Sequence, residues 1–329
     1  MFANSYLTIS HISCYCTSLF YALFYIWICR LCTIIKDPYN RYIEEWVDYH
    51  FALGFSRIRL YDNTDNFTLQ HWGQDKTYIS KVDKIHYLPG ITHNVSKHAK
   101  CGAPRQSPGF MDCAQVAKAE GISWVSGLDI DEFLVIREPL SIVDFMEKYC
   151  KYPCGQLSLS WLLFGPSGRK EYKPVPVTKR FNHRKNVGEI HVKGIADPNA
   201  IDFSVNGFWM HTWIINGTRT WLDTSGTKQK VRRKEKYWLW MLMNEAKPTD
   251  IGVIHHYKTL SEGEWHYKNC VRSGSRTLNG YNVSKDCTGN ASDMFGSDDM
   301  VIDETAWERL KLLVPEYSRF DSLTWAELG

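Results

Sequence analysis

The chain is short of several things, and each shortage narrows what it can be. It carries almost no surplus of charge: 39 Lys and Arg stand against 36 Asp and Glu, a formal net charge of +3 over 329 residues. That balance excludes a dedicated nucleic-acid binder, whose footprint would be strongly basic. No internal repeat and no low-complexity tract interrupts the chain, so its length corresponds to roughly two domains of ordinary size, or one large unit with additions. With 44% apolar and 23% charged residues, wholesale disorder is excluded as well. Among ten cysteines no CxxC is matched by a second CxxC, so a structural zinc site is not expected. A basic leader region and a small-residue cleavage site are both missing from the amino terminus, which argues against a cleaved signal peptide.

What is present begins with that amino terminus. Residues 12–29 carry no charge; Arg30 interrupts, and Leu31 to Ile35 continues the apolar run. The length approaches that needed to span a bilayer, so a membrane signal-anchor is expected over residues 12–29, within an N-terminal segment 1–30. Arg30 and Lys36 follow the segment, where the positive-inside rule would put the cytosol. Sequons point the other way, to a lumen. Asn66, Asn94, Asn216, Asn282 and Asn290 each begin an Asn-x-Ser/Thr triplet, where about two would arise by chance. Four cysteines fall in the first 32 residues (Cys14, Cys16, Cys29, Cys32). The other six (Cys101, Cys113, Cys150, Cys154, Cys270, Cys287) form an even set that suits disulfides, with connectivity open. The expected location is a secretory membrane, Golgi or ER, with the body luminal.

The body alternates. Leu31 to Ile35 reads as a buried strand. Tyr42 to Leu53 has helical spacing and stops at Gly54; Arg57 to Tyr61 is a strand followed by the polar turn 62–66. Lys84 to Leu88 is a strand, Met111 to Glu120 a helix, and Trp124 to Leu128 a strand that runs into Asp129-Ile130-Asp131-Glu132-Phe133. This alternation predicts an α/β fold with a mostly parallel sheet and helices on both faces. Ligands of such sheets bind beyond the carboxyl ends of the strands, where the acidic loops 62–65 and 129–132 both fall. After residue 155 the character changes. Leu157 to Phe164 and Val175 to Phe181 read as strands, with more between Val187 and Trp213; Glu235 to Met243 and residues 304–314 read as helices. Residues 31–155 and 156–329 are therefore expected to be two halves of one catalytic unit, since no linker separates them.

Asp129 and Asp131 are the chemical centre of this reading. Two carboxylates one residue apart at a strand end can face one crevice. Their hard oxygens suit Mg²⁺ or Mn²⁺, which leave positions for waters and diphosphate oxygens. A metal so held neutralises a diphosphate leaving group. Acidic pairs at strand ends are commonly solvated turns; this one is set directly against apolar chain on both sides, which is costly unless the charge is used.

The ordered set of motifs resembles glycosyltransferase family 92 and the related family-2-like transferases of the GT-A fold. It comprises Lys36, the helix from Tyr42 to Phe55, Leu60-Tyr-Asp-Asn-Thr-Asp, the block from Trp124 to Leu134, and the late block from His255 to Trp265 with Arg272-Ser-Gly. The likeness covers roughly residues 31–275. It implies a Rossmann-like GT-A sheet with an added mixed-strand acceptor half. The activity implied is metal-dependent, inverting transfer of a sugar from a nucleotide-sugar donor to a glycan or glycoconjugate acceptor. Where the family usually has Lys-Asn-Glu after its first strand, this chain has Lys36-Asp37-Pro38.

Under that resemblance Asp131 is the first metal ligand and Asp129 touches metal or ribose, while Glu132 orients its neighbours. Asp62 and Asn63 would meet the nucleoside, and Lys36 the diphosphate. His256 completes the metal shell, with His211 as competitor; His255, next to it in a strand, points elsewhere. An inverting transferase needs an acceptor-side base, for which Asp303 is a candidate, although an Asp before a helix also serves as an N-cap. Trp209, Trp213 and Trp221 either stack on sugars or pack the core. The basic run Lys228 to Lys236 is a solvated face, or a contact for an anionic acceptor or headgroups. A carbohydrate-binding protein without turnover, or a metal-dependent phosphohydrolase, are the competing readings. The second is disfavoured because no second dense acidic or histidine cluster offers a two-metal site.

Overall fold

The computed structural model describes residues 28–36, 39–88, 106–204, 208–209, 211–229, 232–233, 240–241, 244–271, 291 and 300–329. Its strands are β1 (Cys29–Ile35), β2 (Arg57–Asp62), β3 (Val82–His86), β4 (Trp124–Gly127), β5 (Glu132–Ile136), β6 (Cys154–Leu163), β7 (His183–Lys185), β8 (Val192–Ala196), β9 (Phe208–Trp209), β10 (Thr212–Trp213), β11 (Thr220–Asp223), β12 (Arg232–Arg233), β13 (Trp240–Met241), β14 (Gly252–His256) and β15 (Met300–Ile302). The helices are α1 (Ile43–Ala52), α2 (Ser107–Ala119), α3 (Ile142–Tyr149), α4 (Val177–Arg180), α5 (Glu262–His266) and α6 (Thr305–Leu313).

Among the described residues, one sheet runs in the order β3-β2-β1-β4-β8-β6-β14-β5, with β11 also paired to β6. The first four strands are parallel; β8 is antiparallel to both β4 and β6, and β5 is antiparallel to β14. The architecture is thus a mostly parallel α/β sheet with flanking helices, as expected for a GT-A-like fold. Alternation along β1 builds the two faces. Cys29, Leu31 and Ile35 face the larger core with α1 and α3; Cys32 faces the smaller one with α2, where it forms a disulfide to Cys113. A second disulfide joins Cys150 to Cys154. Two cysteines assigned by position to the amino-terminal group, Cys29 and Cys32, are therefore part of the body.

The helix α1 forms because Ile43, Trp46, Val47 and Tyr49 recur at helical spacing and are all buried. Gly54 ends it at φ +107°, a conformation that costs a residue with a side chain more. Trp46 then donates through Nε1 to the Glu132 carbonyl at 2.9 Å, and Tyr49 through its hydroxyl to the Leu134 carbonyl at 2.8 Å. These bonds fix the strand that leaves the acidic loop. On the other side, Gly127 is required where α2 crosses β4: a Cβ there would lie 2.6 Å from the Phe110 ring. The loop 128–131 is thus anchored at both ends.

Several expectations are corrected. The strand β1 starts at Cys29, which is fully buried and registered against Trp124. Arg30 lies inside the strand, 1% exposed, paired with Glu120 at 2.6 Å. The expected anchor at 12–29 shares only its last residue, Cys29, with the sheet. Residues 1–27 lie outside the described residues. Among the described residues no helix is long and apolar enough to cross a membrane. Val175 to Phe181 is not a strand: Val177–Arg180 is a helical turn. Its first amides have a partner from elsewhere, since the buried Glu45 carboxylate accepts from Val177 N at 2.6 Å and Thr178 N at 3.0 Å. Within the helix expected at 235–243, Trp240 and Met241 instead pair antiparallel with Arg233 and Arg232.

Candidate active site

The site is built from the carboxyl ends of β1, β2 and β4, together with β8 and β14. Asp129 and Asp131 sit in the turn between β4 and β5. That turn is closed by Glu132 N donating to the Asp129 carbonyl (3.0 Å) and Tyr257 N donating to the Asp131 carbonyl (2.8 Å). Glu132 also reaches back, its Oε2 accepting from Asp129 N at 2.8 Å, so it orients the dyad through the backbone.

Register decides which histidine joins them. In the antiparallel pair of β14 and β5, His256 is opposite Glu132 and His255 opposite Phe133, and opposed residues share a face. His256 Nε2 lies 3.8 Å from Asp131 Oδ1, and its Nδ1 lies 3.8 Å from Glu132 Oε1. Burial first, and Lys268 second, hold His256 well below the ordinary histidine value, which leaves a neutral imidazole fit to ligate a cation. His255 points to the other face, where its Nε2 is 3.9 Å from Asp303.

Two lysines pair with these carboxylates, and sequence reasoning did not identify either. Lys193 on β8 is 1% exposed, and its ammonium lies 3.0 Å from both Asp129 Oδ2 and Glu132 Oε2. Burial acts against its charge, but the two carboxylates prevail and raise Lys193 above the ordinary lysine value. Burial pushes Glu132 up to about 8, with Lys193 opposing it. Lys268 donates to Asp131 Oδ2 at 3.0 Å and to the Lys258 carbonyl at 3.2 Å. A lone lysine inside the apolar run from Val192 to Ile195 was a readable signal for the first; nothing local marked the second.

Trp161 on β6 forms the floor beside them. The rings of His256, His211 and His191 lie 4.5, 4.8 and 5.2 Å from its ring. His211 thus shares the neighbourhood, but His256 is the one placed against Asp131 and Glu132. Trp213 and Trp221 are buried in the cores; the Trp209 side chain and Arg272 lie outside the described residues.

The other candidates separate. Asp62 is fully buried, and its carboxylate accepts from Thr64 N (2.9 Å), Thr64 Oγ1 (2.6 Å), Leu69 N (2.7 Å) and Thr68 Oγ1 (3.3 Å). These bonds hold its own loop. Asn63 bonds the Tyr87 carbonyl through Nδ2 at 2.7 Å. Lys36 follows β1 half-buried, next to Ile35, the register partner of Asp62. Asp303 is not brought to the dyad. Its Oδ2 pairs with Arg184 at 2.6 Å and its Oδ1 accepts from Thr305 N at 2.9 Å, at the start of α6. His255, Arg184 and the Thr305 bonds together outweigh burial and hold it well below the usual carboxylate range, the opposite of what a base needs.

The donor set can be tested against a divalent cation. Asp131 Oδ1 and His256 Nε2, 3.8 Å apart, can be bridged by one ion at bond lengths of about 2.1 Å. Among the described residues no three His, Cys, Asp or Glu side chains converge to hold an ion unaided. The protein would supply two donors, and phosphate oxygens and water the rest, which is how Mg²⁺ is commonly held.

The sequence profile of glycosyltransferase family 92 matches residues 31–294. A glycosyltransferase family 92 protein of Oryza sativa subsp. japonica is 28% identical over 190 residues, 57% of this chain and 30% of that protein. One of Ricinus communis is 28% identical over 218 residues, 65% of this chain and 36% of that protein. One of Arabidopsis thaliana is 27% identical over 184 residues, 53% and 29% respectively. The matched stretch spans about a third of the length of these relatives.

Proposed function

The chain belongs to glycosyltransferase family 92, and from that premise we propose that it moves a sugar from a nucleotide-sugar donor to a glycan or glycoconjugate acceptor, with inversion. The observation that carries this reading is the pairing of Asp131 with His256 at the carboxyl edge of the parallel strands. Those two residues would hold Mn²⁺ or Mg²⁺, and the ion when bound supplies positive charge against the diphosphate leaving group. The chain's own residues do the rest. Lys193 and Glu132 keep Asp129 in place beneath the donor, and Lys36 stands at the same edge, beside the end of β2. Trp46 and Tyr49 prevent the loop from shifting as charge develops.

The test is Asp131→Asn. It keeps size and hydrogen bonding but removes one unit of charge, so Mn²⁺-dependent stabilisation by nucleotide sugars should disappear. Transfer should fall by on the order of 10²-fold or more. Transfer at the normal rate would sink the reading. Inversion is checked separately by the anomeric configuration of the product.

A luminal location, in Golgi or ER, belongs to the same proposal, with the apolar residues ahead of β1 as membrane anchor. The Cys32–Cys113 and Cys150–Cys154 disulfides and the exposed sequon at Asn66 support an oxidising, glycosylating compartment. Enzymatic deglycosylation of the protein from a secretory host should shift its mobility. No shift, with soluble cytosolic fractionation, would oppose it.

A further inference from the structure

The two lysines at the dyad differ in a way that assigns them different work. Lys193 is 1% exposed and boxed between Asp129 and Glu132; no ligand can reach it. Lys268 has 32% of its side chain exposed. It sits on a π-helical turn, Tyr267–Val271, that follows α5, a distortion often found at functional sites. Its ammonium donates to one oxygen of Asp131 and to the Lys258 carbonyl, and it lies 5.7 Å from the ring of Tyr39, just past the end of β1. Its chain neighbour Tyr267 and the Tyr39 ring line a cavity of about 460 Å³ together with Arg41, Tyr172 and Glu264; Lys268 itself is not part of that lining. A partly exposed cation therefore stands next to the carboxylate that would hold the metal.

We propose that Lys268 is the residue that contacts the leaving nucleoside diphosphate, exchanging its bond to Asp131 for bonds to phosphate oxygens when donor binds. This inference rests on the donor reading of the site given above. In the transfer step the C1–oxygen bond to the diphosphate breaks and its electron pair stays on the diphosphate. The acceptor oxygen forms the new bond to C1 and gives up its proton to a base. Lys268 keeps its own proton throughout and hydrogen-bonds the departing oxygen, a charge-assisted contact of the strong kind.

The exchange makes opposite predictions for two ligands. In Lys268→Ala, Mn²⁺ alone should bind as tightly as in the parent protein or more tightly, because Asp131 has lost a competing cation. Uridine and guanosine diphosphates, tested as probes with Mn²⁺ by calorimetry, should bind about tenfold more weakly for whichever the parent protein accepts. The turnover number should fall on the order of 10²-fold. Lys268→Arg should recover much of the diphosphate affinity, and thermal melts of both variants should match the parent. If metal and diphosphate affinity fell together, Lys268 would merely hold Asp131 in place and the proposal would be wrong. Unchanged diphosphate affinity in Lys268→Ala would overturn it equally. A parent protein that bound neither diphosphate with Mn²⁺, nor any nucleotide sugar, would overturn the donor reading and this inference together.

Discussion

The loops 62–65 and 129–132 start from the same place in the fold and end in different work. Each follows a parallel strand, each carries acidic residues, and β1 lies between them in the sheet. In the first, Asp62 spends its carboxylate on two backbone amides and two hydroxyls of its own loop. In the second, the carboxylates take their partners from distant strands: Lys193 on β8, His256 on β14 and Lys268 beyond α5. An Asp that can satisfy itself locally builds a turn. One whose neighbours offer no donors must recruit charge from elsewhere, and in the proposal above the exposed one of the two recruited lysines, Lys268, is exchanged for a ligand.

The second loop depends most heavily on Lys193. Lys193→Met leaves two carboxylates against apolar chain with no compensating cation, and stability should drop by about 5 kcal/mol, the upper end for breaking a buried pair. A denaturant midpoint near the parent value would show that the second loop does not depend on recruited charge. Next comes the scaffold that both loops share. Removing the Cys32–Cys113 link, which closes 81 residues between β1 and α2, should cost about 4 kcal/mol. The reduced or doubly Cys→Ser protein would show this in urea, and a loss of under about 1 kcal/mol would mean that packing alone holds the two elements.

Asp62→Ala should cost about 3 kcal/mol by orphaning Thr64 N and Leu69 N. Any nucleotide binding that survives in the folded fraction should be nearly unchanged; strong loss of binding with normal stability would return Asp62 to the ligand. His256→Ala should weaken Mn²⁺ binding about tenfold, read by calorimetry, and unchanged affinity would remove it from the metal shell. The smallest effect is the stability of Asp131→Asn, expected within about 1 kcal/mol of the parent because Asn still accepts from Lys268. A collapse there would erase the contrast between the loops.

Much of the first half was legible because local patterns coincide with the tertiary outcome. The helix at Ile43–Ala52, the strands on either side of it and the helix at Thr305–Leu313 all sit where periodicity and Gly54 put them. Misreadings arose where a distant group decided. Val177–Arg180 has β-compatible residues, yet Glu45 supplies the amide acceptor that makes it a helical turn. Cys29 and Arg30 look like the end of an apolar segment, yet Glu120 and Trp124 draw them into the sheet.

The amino-acid order alone carries the alternation of strands and helices and the carboxyl-end position of both acidic loops; it also puts His255 and His256 on opposite faces once a strand is granted. Each depends on residues within a few positions of one another, whose spacing sets the face they present. The partner of each carboxylate, by contrast, is set by the folded arrangement. Asp62, Asp129, Asp131 and Asp303 are alike in one dimension. Their partners lie up to 137 positions away in the chain, and electrostatic partnership depends on distance in space, which no local pattern encodes.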